Sequence, residues 1–383
     1  MTTTQDRDLL SELGEATAGL RVALVHDWLN GMRGGEKVLE HVCELFPDAD
    51  LYTLFCEPEN LSPTLRRMNI IEGAWAKRFP ALRRYYRQLL PALPKYVRTL
   101  PTAEYDVVIS TSHCVAKGAP APTRGMHLSY VFSPMRYVWD HFEDYLGGGM
   151  VRDTALRLVR GRLQDWDWAT AQDIDSVAAD SAHIAGKIER FWGRRARVIH
   201  PPVDLDFFTP GEEPSGDAWL VVSALVPYKH VERAIRAVQL AGHRLVVIGS
   251  GPERPRLEAE SGAETTFLGW ASAEDLRAAY RRCKALLYPG TEDFGITALE
   301  AQACGRPVLA LRRGGAVETV TEGETGAFFD QPTAEDLADL LTKFEAQSYN
   351  SNHIRRWAET FSPERFRREL AGWVLEEGEF KCW

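Results

Sequence analysis

From Trp219 to Leu311 the chain alternates short apolar runs with stretches of helical spacing, and few folds accept that alternation. The runs are WLVVSAL, RLVVIG, TTFLGW, ALLY and PVLAL; HVERAIRAVQLAG, AEDLRAAYRRC and FGITALEAQAC lie among the segments between them. Strand-length apolar runs that alternate with helices call for a parallel sheet covered on both faces, a doubly wound α/β unit. The first half follows the same plan. RVALVHDW (21–28), Leu51–Phe55, Val107–Ser110, Leu128–Phe132, Ser176–Ser181 and Arg197–His200 read as strands, and EKVLEHVCELF as a helix after the first. Two such units are expected, at 21–205 and 218–360. The run PPVDLDFFTPGEEPSGD, rich in proline and acids, reads as the linker between them, near 205–217. A last helix from Pro363, within 361–383, has an apolar face suited to docking back on the first unit.

A chain of 383 residues with 45% hydrophobic and 26% charged residues has the make-up of a soluble globular protein of two domains. Its formal charge of −9 argues against nucleic acid as a general partner. The six cysteines (43, 56, 114, 283, 304 and 382) form no CxxC and no zinc spacing, so buried reduced thiols are expected. Residues 1–20 carry Asp6, Asp8, Glu12 and Glu15 and lack the apolar core of a signal peptide, so a cytoplasmic protein is expected.

The chemistry concentrates in LYPGTEDFGITALEAQACGRPV (287–308). A strand stops at Pro289-Gly290, a loop carries Glu292 and Asp293, and Gly295 opens a helix that Gly305 and Pro307 end. On spacing alone, Glu292 and Glu300 are two solvated glutamates in a chain with 54 acidic residues. The backbone amides at Gly295, Ile296 and Thr297, at the positive end of a helix, suit a phosphate. A phosphate site flanked by carboxylates that accept from hydroxyls describes a sugar nucleotide. Lys229 in SALVPYKHVERAI follows a strand and precedes a helix, where its ammonium can reach a diphosphate or stay on the surface. In the first half, GMRGGEK offers Gly34 and Gly35 as a phosphate cradle without a full dinucleotide fingerprint or Walker pair. GSGPER likewise has Gly249 and Gly251 but Arg254 in place of a third glycine, which leaves a nicotinamide site incomplete.

EDFGITALEAQACGRPV resembles the E-x7-E signature of the retaining glycosyltransferases of family 4, and the resemblance implies the GT-B fold, two Rossmann-like doubly wound domains facing an interdomain cleft. It implies that Glu292 faces the donor sugar, that Glu300 binds the ribose, that Gly34 and Gly35 approach the diphosphate, and that Lys229 neutralises it. FSPMRYVWD, with Arg136, looks like a motif of a bacterial polysaccharide branch of that family rich in mannosyltransferases. Phe132 stands where that branch has a histidine near the donor sugar, and Ala224 where many relatives have arginine. His113 in STSHCVAKG is the nearest other imidazole, either an active-site group or a strand-end histidine bonded to backbone. LGW at 268–270 matches a turn bordering the base, with Trp270 beside it. RRGGAVETV, with Gly314, Gly315 and Glu318, matches a loop facing the cleft. The implied function is transfer of a hexose, mannose from GDP-mannose first and UDP- or dTDP-sugars next, to a saccharide or lipid-linked acceptor with retention. No metal and no cofactor is implied.

The stretch 75–100 is basic without an acidic residue and interleaves Trp75, Phe79, Tyr85, Tyr86 and Tyr96. It suits peripheral contact with an anionic membrane, or a solvated helix face. Four Asp-x-Asp pairs (48/50, 165/167, 173/175, 204/206) read as chance in so acidic a chain. A sugar-nucleotide epimerase of the same fold, a pyridoxal-phosphate phosphorylase and a non-catalytic sugar-nucleotide-binding partner remain as rival readings.

Overall fold

The computed structural model describes residues 4–78, 89–140, 142–143, 149–212 and 215–378. The chain divides into two compact units, Met1–His200 with Glu364–Trp383, and Pro201–Pro363. Among the described residues each unit is built on one parallel sheet. The first comprises β1 (Val22–His26), β2 (Asp50–Thr53), β3 (Asn69–Glu72), β4 (Val107–Ser112), β5 (Met126–Val131), β6 (Ser176–Ala179) and β7 (Arg197–Val198), ordered β3-β2-β1-β4-β5-β6-β7. The second comprises β8 (Trp219–Val222), β9 (Leu245–Ile248), β10 (Thr265–Gly269), β11 (Leu286–Tyr288), β12 (Val308–Leu311) and β13 (Gly326–Phe329), ordered β10-β9-β8-β11-β12-β13. Both are Rossmann orders, in which strand order reverses between the first and fourth strands of the unit.

Alternation within each strand feeds a core on either side of the sheet. In β1, Val22 and Leu24 join one cluster while Ala23 and Val25 join the other; in β8, Leu220 takes one side and Trp219 and Val221 the other. The helix Pro363–Gly378 belongs to the first unit: Phe366, Leu370 and Trp373 are buried in its core, and Trp373 Nε1 donates to Ser176 Oγ at 3.0 Å. Leu13, from the helix Thr4–Thr17 that the sequence reading left outside the domain, is buried in the same cluster.

The expected linker at 205–217 is corrected. The division falls between His200 and Pro201, and residues after it pack into the second unit. Val203 and Phe208 are buried in its core, Arg355 donates to the Leu205 and Phe208 carbonyls, and Arg281 donates to that of Thr209. Apolar residues hidden within a proline- and acid-rich run decide the outcome. The five cysteines among the described residues are buried free thiols. No described helix is long and apolar enough to cross a membrane.

Candidate functional site

In an open parallel sheet the loops at the carboxyl ends of two strands part where strand order reverses, leaving room for a ligand. In the second unit that place lies between β8 and β11, and Lys229 and Glu292 follow those two strands. Lys229 closes the short 3-10 turn Pro227–Lys229; His230 then takes φ +51°, an unusual conformation for a non-glycine residue, and starts the helix Val231–Ala241. The two loops touch backbone to backbone. A Cβ on Gly290 would stand 2.8 Å from the Lys229 carbonyl oxygen, and the Arg233 guanidinium donates to the Pro289 carbonyl. Lys229 Nζ and a Glu292 carboxylate oxygen form an ion pair, their side chains 18% and 15% exposed.

The RRGG loop after β12 holds the Glu292 backbone from the other side. Gly315 N donates to the Glu292 carbonyl at 2.8 Å, and Gly314 and Glu292 form a parallel bridge. A Cβ on Gly315 would lie 2.4 Å from Phe294 Cα, so only glycine permits this approach. Gly295, at φ +101°, passes against the Tyr288 hydroxyl and starts the helix Ile296–Ala303, whose first residues, Ile296 and Thr297, are half-buried. Glu300 is 3% exposed and accepts from the Tyr280 hydroxyl at 2.9 Å. Burial and the neighbouring Glu300 raise the Tyr280 phenol pKa well above its ordinary value. Gly251 and Trp270 follow β9 and β10 on the same edge of the sheet. Gly251 lets its loop cross Leu225, whose carbonyl a Cβ would meet at 2.2 Å; Trp270 is 81% exposed.

In the first unit the reversal lies between β1 and β4. Gly34 and Gly35 open the helix Gly34–Leu45, with Arg33 at its N-cap and Glu36 accepting from Arg33 N at 3.1 Å. A Cβ on Gly35 would stand 3.4 Å from the Phe132 ring and 3.7 Å from His26, so these two side chains lie against the glycine loop. His113 follows β4. Its Nδ1 is 3.1 Å from Asp27 Oδ2, and its ring meets Trp28 edge-on at 4.6 Å between centroids. Arg136 is half-buried after β5, and its charge and that of Arg33 act on His113.

Sequence reasoning missed Asp27, Lys117 and Asp167. Asp27, with 0% exposure, ends an apolar strand, and an acid in that position was the available signal. Lys117 and Asp167 form a buried pair at 2.5 Å, and the Trp139 and Trp192 indoles donate to the other Asp167 oxygen at 2.8 and 2.7 Å. The aspartate of one Asp-x-Asp pair and the tryptophan of PMRYVWD thus serve the scaffold. Among the described residues no cluster of His, Cys, Asp and Glu is arranged to hold a metal ion. Of the 75–100 stretch, 79–88, with Phe79, Tyr85 and Tyr86, lies outside the described residues. Trp75 is buried and stacks on Tyr96 at 4.7 Å, so this pair packs inward, contrary to an interfacial role.

Residues 205–360 match the family model described as glycosyl transferases group 1. The D-inositol 3-phosphate glycosyltransferase of Mycolicibacterium smegmatis is 36% identical over 171 residues, 39% of this chain and 39% of that protein. That of Mycobacterium tuberculosis is 36% identical over 169 residues, 38% of this chain and 35% of that protein. The chain therefore matches well under half the length of these curated relatives. Among solved structures, Anabaena HepE in complex with UDP-glucose superimposes with a TM-score of 0.69 at 15% identity, covering 93% of this chain and 100% of that one. WaaG, a glycosyltransferase involved in lipopolysaccharide biosynthesis, gives 0.59 at 16%, covering 92% and 95%. The fold is the GT-B fold, two Rossmann-like α/β units, and the match to the glycosyl transferases group 1 model lies within the second unit.

Proposed function

We propose that the protein is a retaining, nucleotide-sugar-dependent hexosyltransferase of family 4, acting in polysaccharide or glycoconjugate assembly. The observation that carries this reading is the Lys229–Glu292 pair, held where strand order reverses and beside the first turn of the helix Ile296–Ala303, inside the group 1 match. In this reading the leaving diphosphate takes Lys229 and the amides of Gly295, Ile296 and Thr297. Glu292 accepts from hydroxyls of the donor sugar and Glu300 from the ribose, while Gly251 and Trp270 border the nucleotide. On the first unit, the residues this reading assigns to substrate are Gly34, Gly35, Arg136 and His113. As the bond from anomeric carbon to diphosphate breaks, an acceptor oxygen bonds to that carbon on the same face. The acceptor proton passes to a leaving phosphate oxygen, so no protein nucleophile is required.

GDP-mannose is the first donor to test, on the resemblance of PMRYVWD; the HepE complex adds UDP-glucose, and dTDP-glucose completes the panel. Saccharide and lipid-linked acceptors are joined by D-inositol 3-phosphate, named in the matched relatives. We place the protein in the cytoplasm at the inner face of the membrane, through exposed Arg78, Lys95 and Arg98. With Trp75 and Tyr96 turned inward, attraction there is electrostatic, about 1 kcal/mol per cation. A thermal-shift panel of the three donors is the test, since a ligand of the native state raises Tm. It is followed by transfer to each acceptor and NMR of the product's anomeric centre. Retention is expected. Inversion overturns the family 4 mechanism, and donor conversion without acceptor indicates an epimerase. Binding without turnover indicates the non-catalytic role.

A further inference from the structure

The turning point of the second sheet is rich in acid. Burial raises the Tyr288 phenol pKa, and the charges of Glu292, Asp293 and Glu300 raise it further. Against these carboxylates stands Lys229, whose ammonium is already paired with Glu292. A diphosphate brought here adds more negative charge, and one ammonium shared with a carboxylate does not balance it. A second cation lies on the neighbouring loop. Arg312 and Arg313 are consecutive after β12, and the fold engages them differently. Arg312 is held by Asp330 at 2.7 Å and by Glu322, acids that flank β13. The Arg313 side chain is exposed and makes no hydrogen bond or ion pair among the described residues; only its backbone amide is engaged, on the Leu311 carbonyl at 2.6 Å. Its backbone leads directly into Gly314, which bridges Glu292, and Gly315, which donates to the Glu292 carbonyl. Arg313 is close enough to Arg233 for its charge to act on that guanidinium. Arg233 in turn is half-buried and donates to the Pro289 carbonyl, next to the Gly290 that packs on Lys229. Lys229, Arg233 and Arg313 therefore border one turn, and of the three only Arg313 is left without an acceptor.

We propose that Arg313 binds a phosphate of the donor nucleotide, as the second cation beside Lys229 and within the second unit alone. A guanidinium offers paired N–H donors that match two phosphate oxygens, where an ammonium acts as a point charge. Lys229 comes from the loop after β8 and Arg313 from the loop after β12, and glycine contacts tie each to the loop after β11 that runs between them. Ala224, exposed after β8, brings no charge of its own. The ligand named here rests on the sugar-transfer reading; the unengaged guanidinium does not.

Calorimetric titration of the full chain with UDP-glucose, GDP-mannose, dTDP-glucose and the matching nucleoside diphosphates tests it. Arg313→Ala is expected to weaken the complex that forms about tenfold, with or without the sugar, as for the loss of one hydrogen bond to a charged group. Arg313→Lys should recover part of that loss, and Arg312→Ala, whose partners flank β13, should leave affinity unchanged. Equal affinity in wild type and Arg313→Ala overturns the proposal. A loss confined to the sugar-bearing nucleotide puts Arg313 on the sugar and overturns the phosphate contact. Phosphorus NMR of the bound nucleotide is expected to differ between wild type and Arg313→Lys; unmoved resonances with weakened binding put the residue on the base and also sink the idea. Because Arg313 has no side-chain partner among the described residues, the unliganded Tm of Arg313→Ala is expected to match wild type, and a lowered Tm assigns a structural role in place of the proposed one. Wild type that binds none of these nucleotides removes the sugar-transfer reading and the phosphate ligand together. Wild type that binds one, with Arg313→Ala unaffected, removes only the role of Arg313.

Discussion

Lys229 and Glu292 lie 63 positions apart in sequence and form an ion pair in the fold, and single substitutions separate their roles. Lys229→Ala is expected to lower kcat/KM by about 2–4 kcal/mol, the loss associated with removing one anion-stabilising donor, measured by initial rates with saturating acceptor. Glu292→Ala should act mainly on kcat. Glu300 also holds the fold together, which its place in the signature did not reveal. Truncating it strands the buried Tyr280 hydroxyl, so Glu300→Ala is expected to cost about 1–3 kcal/mol of stability in addition to nucleotide affinity. Restored stability in the Glu300→Ala, Tyr280→Phe double variant, followed by denaturant titration, would separate the two effects. The letters EDFGITALE pointed to the glutamates, but a tyrosine 20 residues away lies beyond what a local pattern reveals.

Among elements, the strands were legible where they are buried on both faces. RVALVHDW, DVVISTS and ALLYPG contain β1, β4 and β11 almost residue for residue. β3 was missed because Asn69–Glu72 is a short edge strand with two apolar residues and a polar residue at each end, a pattern shared with loops. The linker was misplaced for a related reason: composition averages over Val203 and Phe208, while packing depends on them individually. The loops of the second unit hold each other through glycine. Gly315→Ala is expected to force the Glu292 loop away from the RRGG loop, lowering Tm and donor affinity together, with about 1–3 kcal/mol lost from the fold. Calorimetry with and without UDP-glucose reads both. Trp373→Ala, in the terminal helix of the first unit, should cost about 3–5 kcal/mol while leaving donor affinity unchanged.

Over the whole molecule, buried imidazoles are distributed unevenly, and acid should act on the two units differently. His26 and His127, both in the first unit, are pushed by burial from 6.5 to about 4. A histidine held neutral in the native state takes up a proton on unfolding. Its stabilising effect is therefore complete above about 6.5 and is lost as pH falls from there toward about 4. The depressed Asp27 carboxyl adds a loss that completes only as pH falls through its native value. Hydrogen exchange followed through this window is expected to show amides of β1, β4 and β5 losing protection ahead of those of β8 and β11. Two parallel-sheet units were legible from alternation alone, because a period of strand and helix survives any choice of surface residue. Which side chains meet at the turning point of each sheet was not, because it depends on loops whose close approach glycine permits.

The contact between Lys229 and Glu292 carries one more implication. The ammonium already holds an anion, and that anion is the protein's own. A diphosphate settling on Lys229 would displace an incumbent, and the released carboxylate would be free to swing toward sugar hydroxyls at that moment. Loading the donor and arming the acid would then be a single exchange, and a nucleotide lacking its sugar would still complete the first half.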